Sequence, residues 1–122
     1  MIETLRDRIL IVDPDVKRRT IYKLSYGDDF GKRLNISGQR QTGLTNIEQM
    51  ATGLQLVVAD IEDSLKDEGV RFHDLVAAAL AAKVPHVVVT TDVGKESSFA
   101  PIEGVLFLAR NEVLRNLPQY FV

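Results

Sequence analysis

Four short runs rich in Val, Ile and Leu, each ending in a charged or polar residue, constrain this chain most: "RILIVD" (8–13), "LQLVVAD" (54–60), "HVVVTTD" (86–92) and "GVLFLAR" (104–110). Apolar runs of this length, bounded by charges or turn residues, read as strands buried on both faces. A weaker fifth strand is expected at "RLNIS" (33–37). Helical spacing fills the intervals: Val16, Thr20 and Leu24; Ile47, Met50 and Ala51; then Phe72, Leu75, Val76, Ala79 and Ala82. Doubly buried strands alternating with helices predict a doubly wound α/β domain, a five-stranded parallel sheet with helices on both sides. The loops "YGDDFGKR" (26–33) and "SGQRQTG" (37–43) carry ordinary turn chemistry. With 122 residues, positions 1–122 fit a single domain.

In such sheets ligands bind beyond the carboxyl ends of the strands, where the strand order reverses. That edge singles out Asp13, Asp60, Thr90 and Arg110. Other chemistries have little behind them. A net charge of −2 offers no electrostatic footprint for nucleic acid, and the run Lys17, Arg18, Arg19 reads as a solvated helix face. The absence of cysteine excludes disulfides and thiolate metal sites and makes the cytoplasm the expected compartment. The apolar runs fall far short of the roughly 20 residues a membrane span needs. His73 and His86 lack a partner at ligand spacing and read as structural. Neither a P-loop nor a GxGxxG run is present. Asp63, Asp67 and Glu68 read as a solvated acidic loop.

The order of these strand-end residues, with "ILIVDPD" and "LVVADI" around the two acids, resembles the receiver domains of bacterial response regulators over nearly the whole chain. That resemblance implies the flavodoxin-like, CheY-like three-layer sandwich. It also implies roles: Asp60 as phospho-acceptor, Thr90 as the hydroxyl donor to a phosphoryl oxygen, Arg110 at the position of the family's lysine, and Phe107 at its aromatic switch position. A Mg²⁺ ion would be held at Asp13, Asp60 and the Glu62 carbonyl. The chemistry is consistent, because moving a phosphoryl group onto a carboxylate requires its charge to be neutralised by a metal and a cation.

The departures from the family pattern are specific. Pro14 stands where the second metal-binding acid belongs, so Mg²⁺ is expected to bind weakly. Asp15 reads as the N-cap of a helix beginning near Val16, and Asp13 has an alternative reading as a strand-end capping acid. At the fifth strand Arg110 replaces the lysine and Asn111 the following proline. A planar, permanently charged guanidinium suits a standing carboxylate pair better than a tight phosphate site. Pairing of Arg110 with Asp60 and a solvent-exposed Arg110 both remain open. Gly94, Ser97, Ser98 and Pro101 permit only a short or irregular fourth helix. Phe107 also reads as plain core. The last helix is expected near Asn111, and the apolar tail Tyr120, Phe121, Val122 is what a domain excised from a longer protein would show.

One rival comes from the enzymes. "LIVDPDV" is also similar to the first motif of haloacid-dehalogenase-type phosphatases, which would make Asp13 the nucleophile and Asp15 the general acid/base. That family leaves Asp60 unexplained. The reading adopted is a non-enzymatic, degenerate receiver in a two-component phosphorelay, acting through protein–protein interaction. A phospho-acceptor receiver, served by a histidine kinase at Asp60, stands as the alternative. The expected partner is a signalling protein, either a kinase or an output domain, with no nucleic acid or membrane. A homodimer is expected through the face formed by the fourth helix, fifth strand and last helix, where Phe99 and Ile102 add apolar groups.

Overall fold

A computed structural model describes residues 6–62 and 69–117. The expectations for Asp63, Asp67 and Glu68 and for Tyr120, Phe121 and Val122 lie outside the described residues. The elements run β1 (Arg8–Val12), α1 (Val16–Phe30), β2 (Leu34–Ser37), α2 (Arg40–Gln49), β3 (Leu54–Asp60), α3 (Phe72–Ala81), β4 (His86–Thr91), β5 (Val105–Ala109) and α4 (Arg110–Asn116). All pairings are parallel and the strand order is β2-β1-β3-β4-β5, so the order reverses between β1 and β3. This is the expected flavodoxin-like sheet.

Two apolar layers hold it together. Leu10, Val12, Val57 and Val87 pack with Ile47 of α2 and Leu75 and Val76 of α3 on one face. On the other, Ile9, Ile11, Val58 and Val88 pack with the aromatic side of α1 and with Val113 of α4. β3 is buried at every position, as a central strand must be. The expectation that β5 is buried on both faces does not hold: it is an edge strand, and Leu106 is 51% exposed. β2 occupies the other edge and is likewise only partly covered.

Local patterning misplaced one helical face. α1 buries Tyr22, Tyr26 and Phe30, while Val16 and Leu24 are exposed. The aromatic residues win because each removes more apolar area from water. The Tyr26 hydroxyl also donates to the Leu114 carbonyl at 2.6 Å, which ties α1 to α4. The two segments read as turns are largely structured: α1 continues to Phe30 and a 3₁₀ turn follows at Gly31–Arg33, and α2 begins at Arg40. Gly43 lies inside α2, where a Cβ would come within 2.5 Å of Val12 Cγ2. Only glycine lets the helix approach β1 that closely. Between β4 and β5 the sole helical piece is a 3₁₀ turn, Glu96–Ser98, as the Gly, Ser and Pro content of that stretch predicts.

Candidate functional site

Asp13 follows β1 and Asp60 ends β3, so the order reversal places both carboxylates in one pocket at the carboxyl edge. Both are buried, at 2% and 1% exposure. Thr90 on β4 lies directly beside Asp60 in register, and Arg110 opens α4 next to it. The structure therefore brings together all four residues singled out at the strand ends.

Asp60 has no unused acceptor position. Its Oδ1 accepts from the Glu62 backbone N–H at 2.8 Å and from Arg110 Nη2 at 2.9 Å. Its Oδ2 accepts from Thr90 Oγ1 at 2.8 Å and from Arg110 Nε at 2.6 Å. A carboxylate offers about four lone-pair sites, and here each has a donor. Of the two readings of Arg110, the paired one is observed. Its remaining arm reaches the exposed Asp92 carboxylate. The hydrogen bond to Asp60 is the chief reason the Arg110 guanidinium holds its proton more tightly than usual.

A second guanidinium lies among the acids. Arg18 Nε and Nη2 donate to the two oxygens of Asp13 at 2.8 and 3.0 Å. The same Nη2 donates to Glu62 Oε2 and stands 3.7 Å from Asp60 Oδ1. Asp13, Asp60 and Glu62 each present one oxygen within 4.8 Å of the others, a spacing suited to a divalent ion. One nitrogen of Arg18 is in contact with all three acids, so the residues as arranged do not fit a metal. The reading of Lys17, Arg18 and Arg19 as a solvated face holds for Lys17 and is corrected for Arg18 and Arg19. Side chains in a first helical turn lean back toward the N-terminus, and this returns Arg18 to Asp13 and lets Arg19 Nη1 donate to the Asp13 carbonyl at 2.9 Å.

The Glu62 carbonyl, expected as a metal ligand, accepts instead from Arg40 Nη2 at 2.8 Å. Arg40 is the first residue of α2, only 3% exposed, and also donates to the carbonyls of Asp60, Ile61 and Val70. It latches the loop that follows β3. Asp15 caps α1 as expected, its Oδ1 accepting from the N–H groups of Lys17 and Arg18 at 2.7 and 3.1 Å. The Arg18 and Lys17 N–H groups hold its carboxyl below the usual range. Burial, reinforced by the charge of Asp60, pushes Asp13 above that range against the pull of Arg18. For Arg18 itself, burial favours proton loss, but its bonds to Asp13 and Glu62 outweigh this and raise it.

Phe107 lies outside the acid pocket, partly buried and stacked on Phe99 with ring centroids 5.3 Å apart. Phe99 in turn meets the edge of Phe72, so Phe99 and Ile102 are partly covered while Val93 of the same stretch is exposed. The participants missed by sequence reading are Arg18, Arg40 and Asp92. Arg18 carried a usable signal, since it follows the capping Asp15 by three residues on a helix that starts beside the acid pocket. Arg40 carried none, because "SGQRQTG" shows no helical period.

No protein-family profile matches the sequence. No curated protein matches it either. Solved structures do. The N-terminal domain of an uncharacterized protein from Wolinella succinogenes superposes with a TM-score of 0.67 at 18% identity, covering 93% of this chain and 91% of that one. A two-component transcriptional regulator, AraC, from Clostridium phytofermentans gives 0.63 at 15% identity, over 93% and 90%. The likeness is one of fold. Among the described residues, no helix is long and apolar enough to cross a membrane.

Proposed function

We propose that the chain is a receiver domain that signals through protein contact without being phosphorylated. The carrying observation is the fourfold saturation of Asp60, two of whose donors belong to one arginine. In-line attack on a phosphoryl donor needs a free carboxylate lone pair and a metal to neutralise the incoming charge. Here a lone pair is freed only by breaking a charge-assisted bond, and Arg18 contacts the acids that would hold the ion. The pair of arginines keeps the pocket in one electrostatic state. The partner is a signalling protein, docking on the surface around β5, where Val93 and Leu106 are exposed at 69% and 51%.

The test is intact mass after incubation with acetyl phosphate and Mg²⁺. An unchanged mass is expected. Gain of one phosphoryl group by the wild type but not by Asp60→Asn would replace this reading with that of a phospho-acceptor, which draws support from the Thr90 bond to Asp60. The phosphatase reading has less behind it: Asp15, its acid/base, is engaged with two backbone N–H groups, and Asp13, its nucleophile, is held by Arg18.

A further inference from the structure

The outer face of α1 carries a pattern that the acid pocket does not use. At 3.6 residues per turn, Lys17, Ile21, Leu24 and Asp28 fall within about 60° of one another around the helix axis. This stripe lies opposite the buried Tyr22, Tyr26 and Phe30. All four stripe residues are exposed, Ile21 at 44% and Leu24 at 80%. Neither Lys17 nor Asp28 forms a salt bridge among the described residues.

The spacing of the stripe is four, three, four, and it reads the same from either end. A two-fold axis passing between Tyr22 and Lys23 would set Lys17 against Asp28 of a second copy, twice, and Ile21 against Leu24, twice. Such exchange of i and j is what an isologous contact requires. Thr20 and Ser25 flank the stripe on its two sides; both are small enough for helices to approach. The helix dipole supplies an independent sign. α1 has no acidic residue in its first turn and no basic residue in its last, while Lys17 lies near its N-terminus and Asp28 near its C-terminus. Each charge is unfavourable against its own helix and favourable against an antiparallel neighbour.

We propose that two copies of this chain pair through α1 as an antiparallel, two-fold symmetric helix contact. The surface is smaller than a standard interface, so the dimer is weak and concentration-dependent. Sedimentation equilibrium over a concentration series at low salt should show monomer and dimer in exchange. Leu24→Glu should leave only monomer with unchanged circular dichroism. Lys17→Glu and Asp28→Lys should each weaken the dimer by about tenfold, as two attractive pairs become repulsive. The double charge swap should restore it. Both single changes suit the helix dipole, so weakened association cannot be put down to a damaged helix. The proposal is overturned by a chain that stays monomeric throughout, by a double swap that fails to rescue, or by a dimer that survives Leu24→Glu. A dimer lost instead in Leu106→Glu would place the contact on β5.

Discussion

Arg110 meets Asp60 as a two-pronged fork, Nε 2.6 Å from one carboxylate oxygen and Nη2 2.9 Å from the other. A lysine ammonium could not span both oxygens with two parallel bonds, so the arginine holds Asp60 in a bidentate pair. Removing the fork leaves a buried charge hydrogen-bonded only to Thr90 and one N–H, with Arg18 at 3.7 Å as its nearest cation. Arg110→Met should therefore cost about 3 kcal/mol, near the lower end for a broken buried pair because Arg110 keeps some solvent contact. Asp60→Asn added to Arg110→Met should recover part of that loss in urea unfolding. Additive effects of the two changes would show that the pair is not coupled.

Arg18 and a divalent ion compete for the same three carboxylates. Arg18→Ala should let Mn²⁺ or Mg²⁺ bind where the wild type does not, and Pro14→Asp in the same protein should tighten it further by adding an oxygen ligand. Calorimetric titration with backbone NMR reads this directly, with shifts expected at Asp13, Asp60 and Glu62. Equal affinity in wild type and Arg18→Ala would mean that the guanidinium is no barrier.

Two carboxylates two residues apart should respond to pH with opposite sign. Asp15 has a folded value below its ordinary 3.8, so its stabilisation is complete above that pH and is lost as pH falls through the folded value. At neutral pH Asp15→Ala should cost about 1 kcal/mol, and the difference from wild type should vanish in acid. Asp13 has a folded value above 3.8, so its ionisation opposes folding. Its contribution is most favourable below pH 3.8 and declines as pH rises toward the folded value. Thermal unfolding of wild type, Asp15→Ala and Asp13→Asn from pH 2.5 to 7, about the span in which carboxylates titrate, separates the two slopes.

Among the described residues Arg40 donates to four carbonyl groups, three of them from the consecutive residues Asp60, Ile61 and Glu62 where β3 ends and its loop begins. Arg40→Met preserves the bulk of the stem and removes every donor. Faster amide hydrogen exchange at Ile61 and Glu62 is expected, with β1 and β4 protection unchanged. Exchange that rises across the whole sheet would make Arg40 a general core residue instead.

The legible part of the molecule is what short-range pattern controls. Buried runs such as "LQLVVAD" and "HVVVTTD" have too few polar atoms to be anything but central strands, and the residues that end them must reach the same edge of a parallel sheet. Asp13, Asp60, Thr90 and Arg110 could therefore be placed together before any coordinates. That position 14 is a proline, with neither a carboxylate nor an N–H to offer the pocket, is equally plain from the sequence alone. The cap at Asp15 is local too, because its acceptor and donors lie within three residues.

What only the tertiary structure decided is which cation meets which acid, and which side of a helix is covered. Arg18 differs from Lys17 by 100° around α1, and that rotation separates a guanidinium on Asp13 from an ammonium in solvent. The sequence shows both as members of one basic run. Val16, Thr20 and Leu24 have sound helical spacing, yet the sheet covers Tyr22, Tyr26 and Phe30, since burial is settled by the surface a helix meets and not by its own period. Arg40 is the plainest case: its partners lie 20 to 30 residues away, on the loop after β3 and at Val70, and no local pattern encodes contacts at that distance.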